Sequence, residues 1–377
     1  MKMKYLFSWG IIIGLTLYAA LSFAAEMQVQ TGVQYNYWED NKDNKASQSY
    51  VPIKIGVSYN NFRAGILAGF ANTHVEKADG TGESLYDTLD TILNFSYEVL
   101  GKLPVDLLFG LDFNLPTGKT DFNQNELILI MDPDLAIITN FGEGYNINPT
   151  VSMVKEWGDI VAGGGIGYVW RGKYDFSESI RDYDPGDIAN ASAEIRYYFL
   201  PEWDARLMGY YAHYGKDKVG GEDFAQEGSH YLVGAGLNYD QIEWVTGITA
   251  RAIFRDKTKL QETTGGLFTE ENNSQGNEWI GDLYVIYNVN DRTTLKSTLQ
   301  GLFIEKNNYP ENSSRFIGRR EKVSLEAGVA RTFIRDLKGE FAVKGFVMHD
   351  EETNFPEVRD STNYRGLVAL VKVTKIF

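Results

Sequence analysis

Cysteine is absent from all 377 residues, which excludes disulfide stapling, thiolate metal sites, c-type haem attachment and thiol catalysis. Histidine is scarce: only His74, His213, His230 and His349 occur, too few to supply the dyads that hydrolases use to activate water or a nucleophile. No apolar run beyond the first 25 residues reaches the roughly 18 that a spanning helix needs. Basic charge is short as well, with 36 Lys and Arg against 51 Asp and Glu and a formal charge of −15, which makes nucleic acid an improbable partner. The mean hydropathy of −0.29 suits a water-soluble protein, yet 14% of the chain is aromatic. A wall of strands needs only one apolar face, and an average over both faces hides it.

The first residues carry Lys2 and Lys4, an apolar stretch from about Ile11 to Leu21, and small residues at Ser22, Ala24 and Ala25. This is the pattern of a secretory signal peptide over 1–25, cleaved after Ala24 or Ala25. The remainder, 26–377, reads as one domain. Its leader sends it where disulfides could form, so barrel closure rather than covalent stapling must hold it together.

From there the alternation has a period of two. Val29, Thr31, Val33, Tyr35 and Tyr37 interleave with Gln28, Gln30, Gly32, Gln34 and Asn36, which puts apolar groups on lipid and amides in a lumen. Val51, Ile53, Ile55, Val57 and Tyr59 repeat it, and the Asn60-Asn61 pair has hairpin chemistry. The same grammar predicts strands near 86–97, 104–115, 145–156, 160–170, 189–199, 204–214, 229–239, 242–255, 278–289, 293–304, 321–332, 340–349 and 363–377. With the first three, that is about 16, each long enough to cross as a tilted strand. The connections alternate between short and long, as in outer-membrane barrels with short periplasmic turns and long outer loops. The expected fold is therefore an all-β, transmembrane, antiparallel up-and-down barrel in the outer membrane of a Gram-negative bacterium, with both termini periplasmic.

One connection, 116–144, contains the run ELILIMDPDLAII at 126–138, too apolar for a free loop. It predicts either a segment folded into the barrel, with Leu127, Ile128, Leu129, Ile130 and Met131 forming a constriction or an apolar access pocket, or an extra hairpin that would raise the count to about 18. Aromatics such as Tyr35, Tyr59, Tyr168, Trp170, Tyr197, Tyr211, Tyr231, Trp244 and Trp279 fall near strand ends with outward parity, as interfacial girdles do.

Parity also selects the lumenal charges: Lys54, Arg63, Asp90, Asp106, Asp112, Glu194, Arg196, Glu243, Arg251, Arg255, Glu278, Asp282, Lys296, Glu326 and Lys344. Charges in a barrel wall stay tolerable only if wetted or paired, so they imply a polar interior. They serve either as cross-strand ion pairs that stiffen the wall or as opposed patches that set a transverse field and select solutes. Gly163, Gly165 and Gly167 share one lumenal face and leave space there.

Several motifs fail on inspection. Gly118-Lys119-Thr120 has the tail of a phosphate loop, but Phe113 stands where its first glycine should be. His213 and His230 have opposite parity and cannot easily share a metal. The carboxylates Asp182, Asp184 and Asp187, and Asp350, Glu351 and Glu352, lack calcium-loop spacing and read first as solvated loops, with Ca²⁺ or Mg²⁺ bridging to lipopolysaccharide as the alternative. No metal, cofactor or catalytic residue is assigned, and the protein is not expected to be an enzyme. No segment ahead of the first strand is long enough for a plug.

The stretches FNLPTG at 113–118, FGEGYNINP at 141–149 and GGGIGYVWRGKY at 163–174 resemble the outer-membrane barrel family named for the meta-pathway of phenol degradation. That resemblance implies passage of small, often hydrophobic or aromatic molecules. Phe377 on an amphipathic last strand resembles the signal by which the barrel assembly machinery recognises its clients. The leading expectation is a porin-like channel for passive diffusion of small solutes, with modest cation preference from the acidic balance. The alternatives are a transporter of small hydrophobic or aromatic compounds and a scaffold barrel sheathing a partner protein. Outer-membrane lipid and lipopolysaccharide are the expected surroundings, and a homo-oligomer stays open.

Overall fold

A computed structural model describes residues 25–262 and 265–377, so the expected leader lies, but for Ala25, outside the described residues. Sixteen antiparallel strands form the wall, each paired with its neighbours in sequence order. The ring closes where Glu26–Asp40 meets Thr362–Ile376, in register from Gln28↔Ile376 to Asp40↔Tyr364. The backbones of Met27 and Phe377 exchange hydrogen bonds, with Phe377 donating at 2.8 Å and Met27 at 3.4 Å. Closure satisfies every wall edge, which is what a bilayer demands of a sheet.

Short turns gather at one end. Asn60 and Gly158 adopt φ of 51° and 58° there, the left-handed conformation that two-residue hairpins require. The expected strand near 242–255 begins only at Trp244, so Glu243 sits in such a turn, its carbonyl accepting from Asn288 N at 2.8 Å, and not on the lumenal wall. At the other end the strands outrun the sequence reading. The first three span Glu26–Asp40, Lys45–Tyr59 and Phe62–Glu76, which shortens the connection expected over 39–49 to 41–44. Polar residues such as Ser47, Ser49 and Asn72 occupy outward positions there, so the apolar alternation fades while backbone pairing continues.

The fourth strand is broken. Gly82–Thr88 pairs with the upper part of Phe62–Glu76 and Thr91–Val99 with the lower part, with Leu89 and Asp90 between them. Away from the wall, Tyr183–Asp184, Asp217–Val219, Glu222–Gln226, Lys259–Gln261 and Leu267–Thr269 form a second, five-stranded sheet. It ties three of the long loops into one layer. Burial in that layer pushes the Tyr174 hydroxyl up to about 12, so the layer stays uncharged at this position through any physiological pH.

Candidate lumenal constriction

The break in the fourth strand gives the long connection after Asp106–Leu115 its footing. Freed from the ladder, the Asp90 carboxylate accepts from Gly118 N at 2.8 Å, Asn114 Nδ2 at 2.7 Å and Glu143 N at 2.7 Å, while Asp90 N donates to Phe141 O at 3.0 Å. One residue thus fixes both ends of the connection. Between those ends the chain turns into the barrel, so the apolar run at 126–138 is an inward-folded segment and not an additional hairpin. It holds a single short 3-10 turn, Glu126–Leu129.

Its apolar side chains are used as an anchor. Phe122, Leu129, Met131, Ala136 and Phe141 are buried together with the wall residues Ala46, Ala71, Val75 and Leu85. Leu135 packs with Phe346, Met348 and Tyr364. Of the five residues expected to form a constriction or access pocket, Leu129 and Met131 are 1% and 7% exposed and face the wall, so no solute can touch them. Leu127, Ile128 and Ile130 are half-buried against the same cluster. Phe122→Ala would remove a fully buried ring that meets Phe141 edge-on at 6.4 Å. The expected cost to docking is about 3–5 kcal/mol, read as faster proteolysis of the connection while the barrel keeps its folded migration in gels.

Polar contacts complete the docking. Asn36 donates to Leu135 O at 2.7 Å, and Gln48 both donates to Ile138 O at 2.8 Å and accepts from Ile138 N at 3.0 Å. Across the ring closure, Arg320 reaches the segment from its other side. Its Nη1 lies 2.8 Å from Asp132 and 2.8 Å from Asp134, and its Nε and Nη2 hold Asp350 at 2.7 and 2.9 Å. Lys322 donates to Asp134 O and lies over the Phe346 ring at 4.7 Å. Lys344 and Glu326 line a cavity of about 260 Å³ between the segment and the wall.

The other charges sort as follows. Arg251 pairs with Asp282 at 2.5 Å, Arg255 with Glu278 at 2.8 Å, Arg196 with Glu194 at 3.0 Å, Arg63 with Glu98 at 3.0 Å and Lys296 with Glu340 at 3.3 Å. Asp112 accepts from Asn94 and Asn148, and Asp106 from Gly101 N. Register places Lys54 opposite Gln30 on the amide-lined face. Asp90, Asp106 and Asp112 fall on one arc of the wall, away from Lys344 and Lys322. Two of the three glycines also find a use. Ser152 and Asn190 lie so close over Gly165 and Gly167 that a Cβ would stand 2.6 and 2.9 Å from them. Of the loop carboxylates, Asp187 accepts from Tyr168 and from Arg171 N, and Glu351 holds Arg319 at 2.8 Å.

The sequence reading missed Arg320, Asn36 and Gln48 as docking groups, together with Phe346, Met348 and Tyr364. One signal was available. Carrying the inward parity of Lys344 two and four residues on gives Phe346 and Met348, apolar where a wetted lumen should be polar.

Comparison with known proteins follows the same geometry. Residues 68–242 match the family described as "Putative MetA-pathway of phenol degradation", and the three stretches that carry the resemblance lie within them. The chain resembles that family of barrels. No curated protein matches it. Among solved structures, OccK7 (OpdD) of Pseudomonas aeruginosa is 8% identical over 94% of this chain and 99% of its own, with a TM-score of 0.46. The anion-selective porin from Comamonas acidovorans is 12% identical over 94% and 99%, with a TM-score of 0.41. The CymD monoaromatic hydrocarbon channel is 9% identical over 93% and 88%, with a TM-score of 0.41.

Proposed function

We propose, for a closed wall that resembles the phenol-degradation barrels, that the protein is an outer-membrane channel for passive diffusion of small solutes, narrowed by the segment 126–138. One observation carries the reading. The segment enters a lumen lined by paired charges and is held against one side of it, by Asp90 at the two ends of its connection and by Arg320 at its middle. A loop so fastened narrows a path without plugging it. Polar solutes pass along the charged wall, and the low-dielectric segment opposite strengthens the field that those charges set up. The role is conduction rather than catalysis.

The test is conductance of the purified barrel in a planar bilayer. Discrete open channels in KCl are expected, and a barrel that never opens at any voltage or salt overturns the reading. A second reading, passage of small hydrophobic or aromatic compounds, draws on the family description and on the half-exposed faces of Leu127, Ile128 and Ile130.

The surroundings belong to the same proposal. The short turns and both termini face the periplasm, the long loops lie among lipopolysaccharide, and Phe377 is read by the assembly machinery. Removing Phe377 deletes both the signal-like terminal aromatic and a backbone pair with Met27 that closes the ring. A several-fold drop in assembled barrel in the outer membrane is expected, measured by heat-modifiable migration, and undiminished assembly would remove Phe377 from that role.

A further inference from the structure

Arg196 and Arg206 stand directly opposite each other in the pairing of Ile188–Leu200 with Trp203–Tyr214. Like charges in that position repel at the closest cross-strand spacing. Arg196 is compensated: Glu194 lies at 3.0 Å and Asp204 at 3.7 Å. Arg206 is not. Its one hydrogen bond runs from Nη2 to the neutral Thr249 hydroxyl at 2.8 Å, and it has no carboxylate partner among the described residues. Its half-exposed side chain lies flat across Gly236, where a Cβ would stand 2.7 Å from Nε. Nε is covered and bonds nothing, so the terminal nitrogens are what this cation can offer a ligand.

An apolar bed adjoins it. On the same face, Met208 is two residues on from Arg206, and its stem and that of Arg251 converge over Gly234, 3.0 and 3.1 Å from where a Cβ would be. Register puts Leu232 and Ile280 on that face beside them. Apolar groups next to a cation without a counter-ion match an anion that carries an apolar body.

We propose that this part of the lumen is a binding site for small organic carboxylates, with Arg206 contacting the carboxylate and Met208, Leu232 and Ile280 bedding the apolar part. The site rests on the reading of the lumen as the solute path. It gives that path a substrate class. A carboxylate here gains charge-assisted hydrogen bonds and relieves the repulsion between Arg196 and Arg206. The two glycines keep the bed shallow enough to admit a ring.

The experiment is titration of sodium benzoate into the folded barrel in detergent, by calorimetry or ligand-observed NMR, with benzyl alcohol as the neutral counterpart. Arg206→Gln should weaken benzoate by roughly tenfold, the size of a lost charge-assisted contact, and leave benzyl alcohol unchanged. Arg206→Lys, which keeps the charge and loses the fork, should fall between. Equal benzoate affinity in wild type and Arg206→Gln, or benzoate binding no tighter than benzyl alcohol, overturns the site. Because binding in micelles needs no conduction, a barrel that binds benzoate but never opens in a bilayer counts against the channel reading alone.

Discussion

Arg320→Ala is expected to release the segment 126–138 from one side of the barrel and raise single-channel conductance. The guanidinium serves three carboxylates at once, Asp132, Asp134 and Asp350, each at 2.7–2.8 Å, and its side chain is only 19% exposed. Truncation removes the cation that the three carboxylates share and leaves them facing one another, offset only in part by Lys322. Losing one partner of a buried charge pair costs about 3–5 kcal/mol, and about 3 kcal/mol lowers the ratio of docked to undocked segment by roughly a hundredfold. The barrel itself should survive, because the substitution removes a side chain and leaves the backbone pairing of Arg320 with Ile304 and Asp350 in place. Arg320→Lys should give an intermediate result, since an ammonium is a point charge and cannot fork between Asp350 and the segment. Bilayer recordings in KCl would show larger and noisier openings for the alanine variant. Proteolysis within 126–138 should quicken in parallel. Unchanged conductance and unchanged proteolysis together would show that the apolar anchor alone holds the segment.

The wall was legible because a β-strand between lipid and water writes its environment at every second residue. Val29 to Tyr37 and the Asn60-Asn61 turn were enough to start the count, and the 16 strands follow from repeating it. What stayed hidden was long-range or polar. The break at Leu89 and Asp90 lies inside a run whose alternation looks continuous. Its cause, the capture of Gly118 and Glu143 by Asp90, involves residues up to 53 positions away. The outward polar rim at Ser47, Ser49 and Asn72 hid strand length, since beyond the apolar band only backbone pairing marks a strand. The run at 126–138 announced itself by composition. Its partners could not be read, because Arg320 is 188 residues from Asp132 and nothing local marks an arginine that will meet it. Parity named Arg196 and Arg251 but passed over Arg206, since only the register shows Arg206 opposite Arg196 and without a carboxylate.

Excision of 126–138, with a short glycine bridge joining 125 to 139, separates the two readings of the lumen most sharply. The excised segment supplies Leu129, Met131, Leu135 and Ala136, four of the buried side chains that fill the space against the wall. Their removal opens the lumen on that side and wets Ala46, Ala71, Val75 and Leu85, which costs stability but breaks no ladder bond. The ends remain fastened, since Gly118, Asn114 and Glu143 still meet Asp90. If polar solutes diffuse past the segment, conductance should rise and liposome swelling should extend to larger sugars, because the obstruction is gone and the charged wall remains. If instead Leu127, Ile128 and Ile130 guide apolar molecules, uptake of a monoaromatic compound should collapse while small ions pass more freely. Aromatic uptake that persists at its original rate, alongside a raised conductance, leaves diffusion as the function and reduces the apolar run to what its burial already makes it: the anchor that holds the constriction in place.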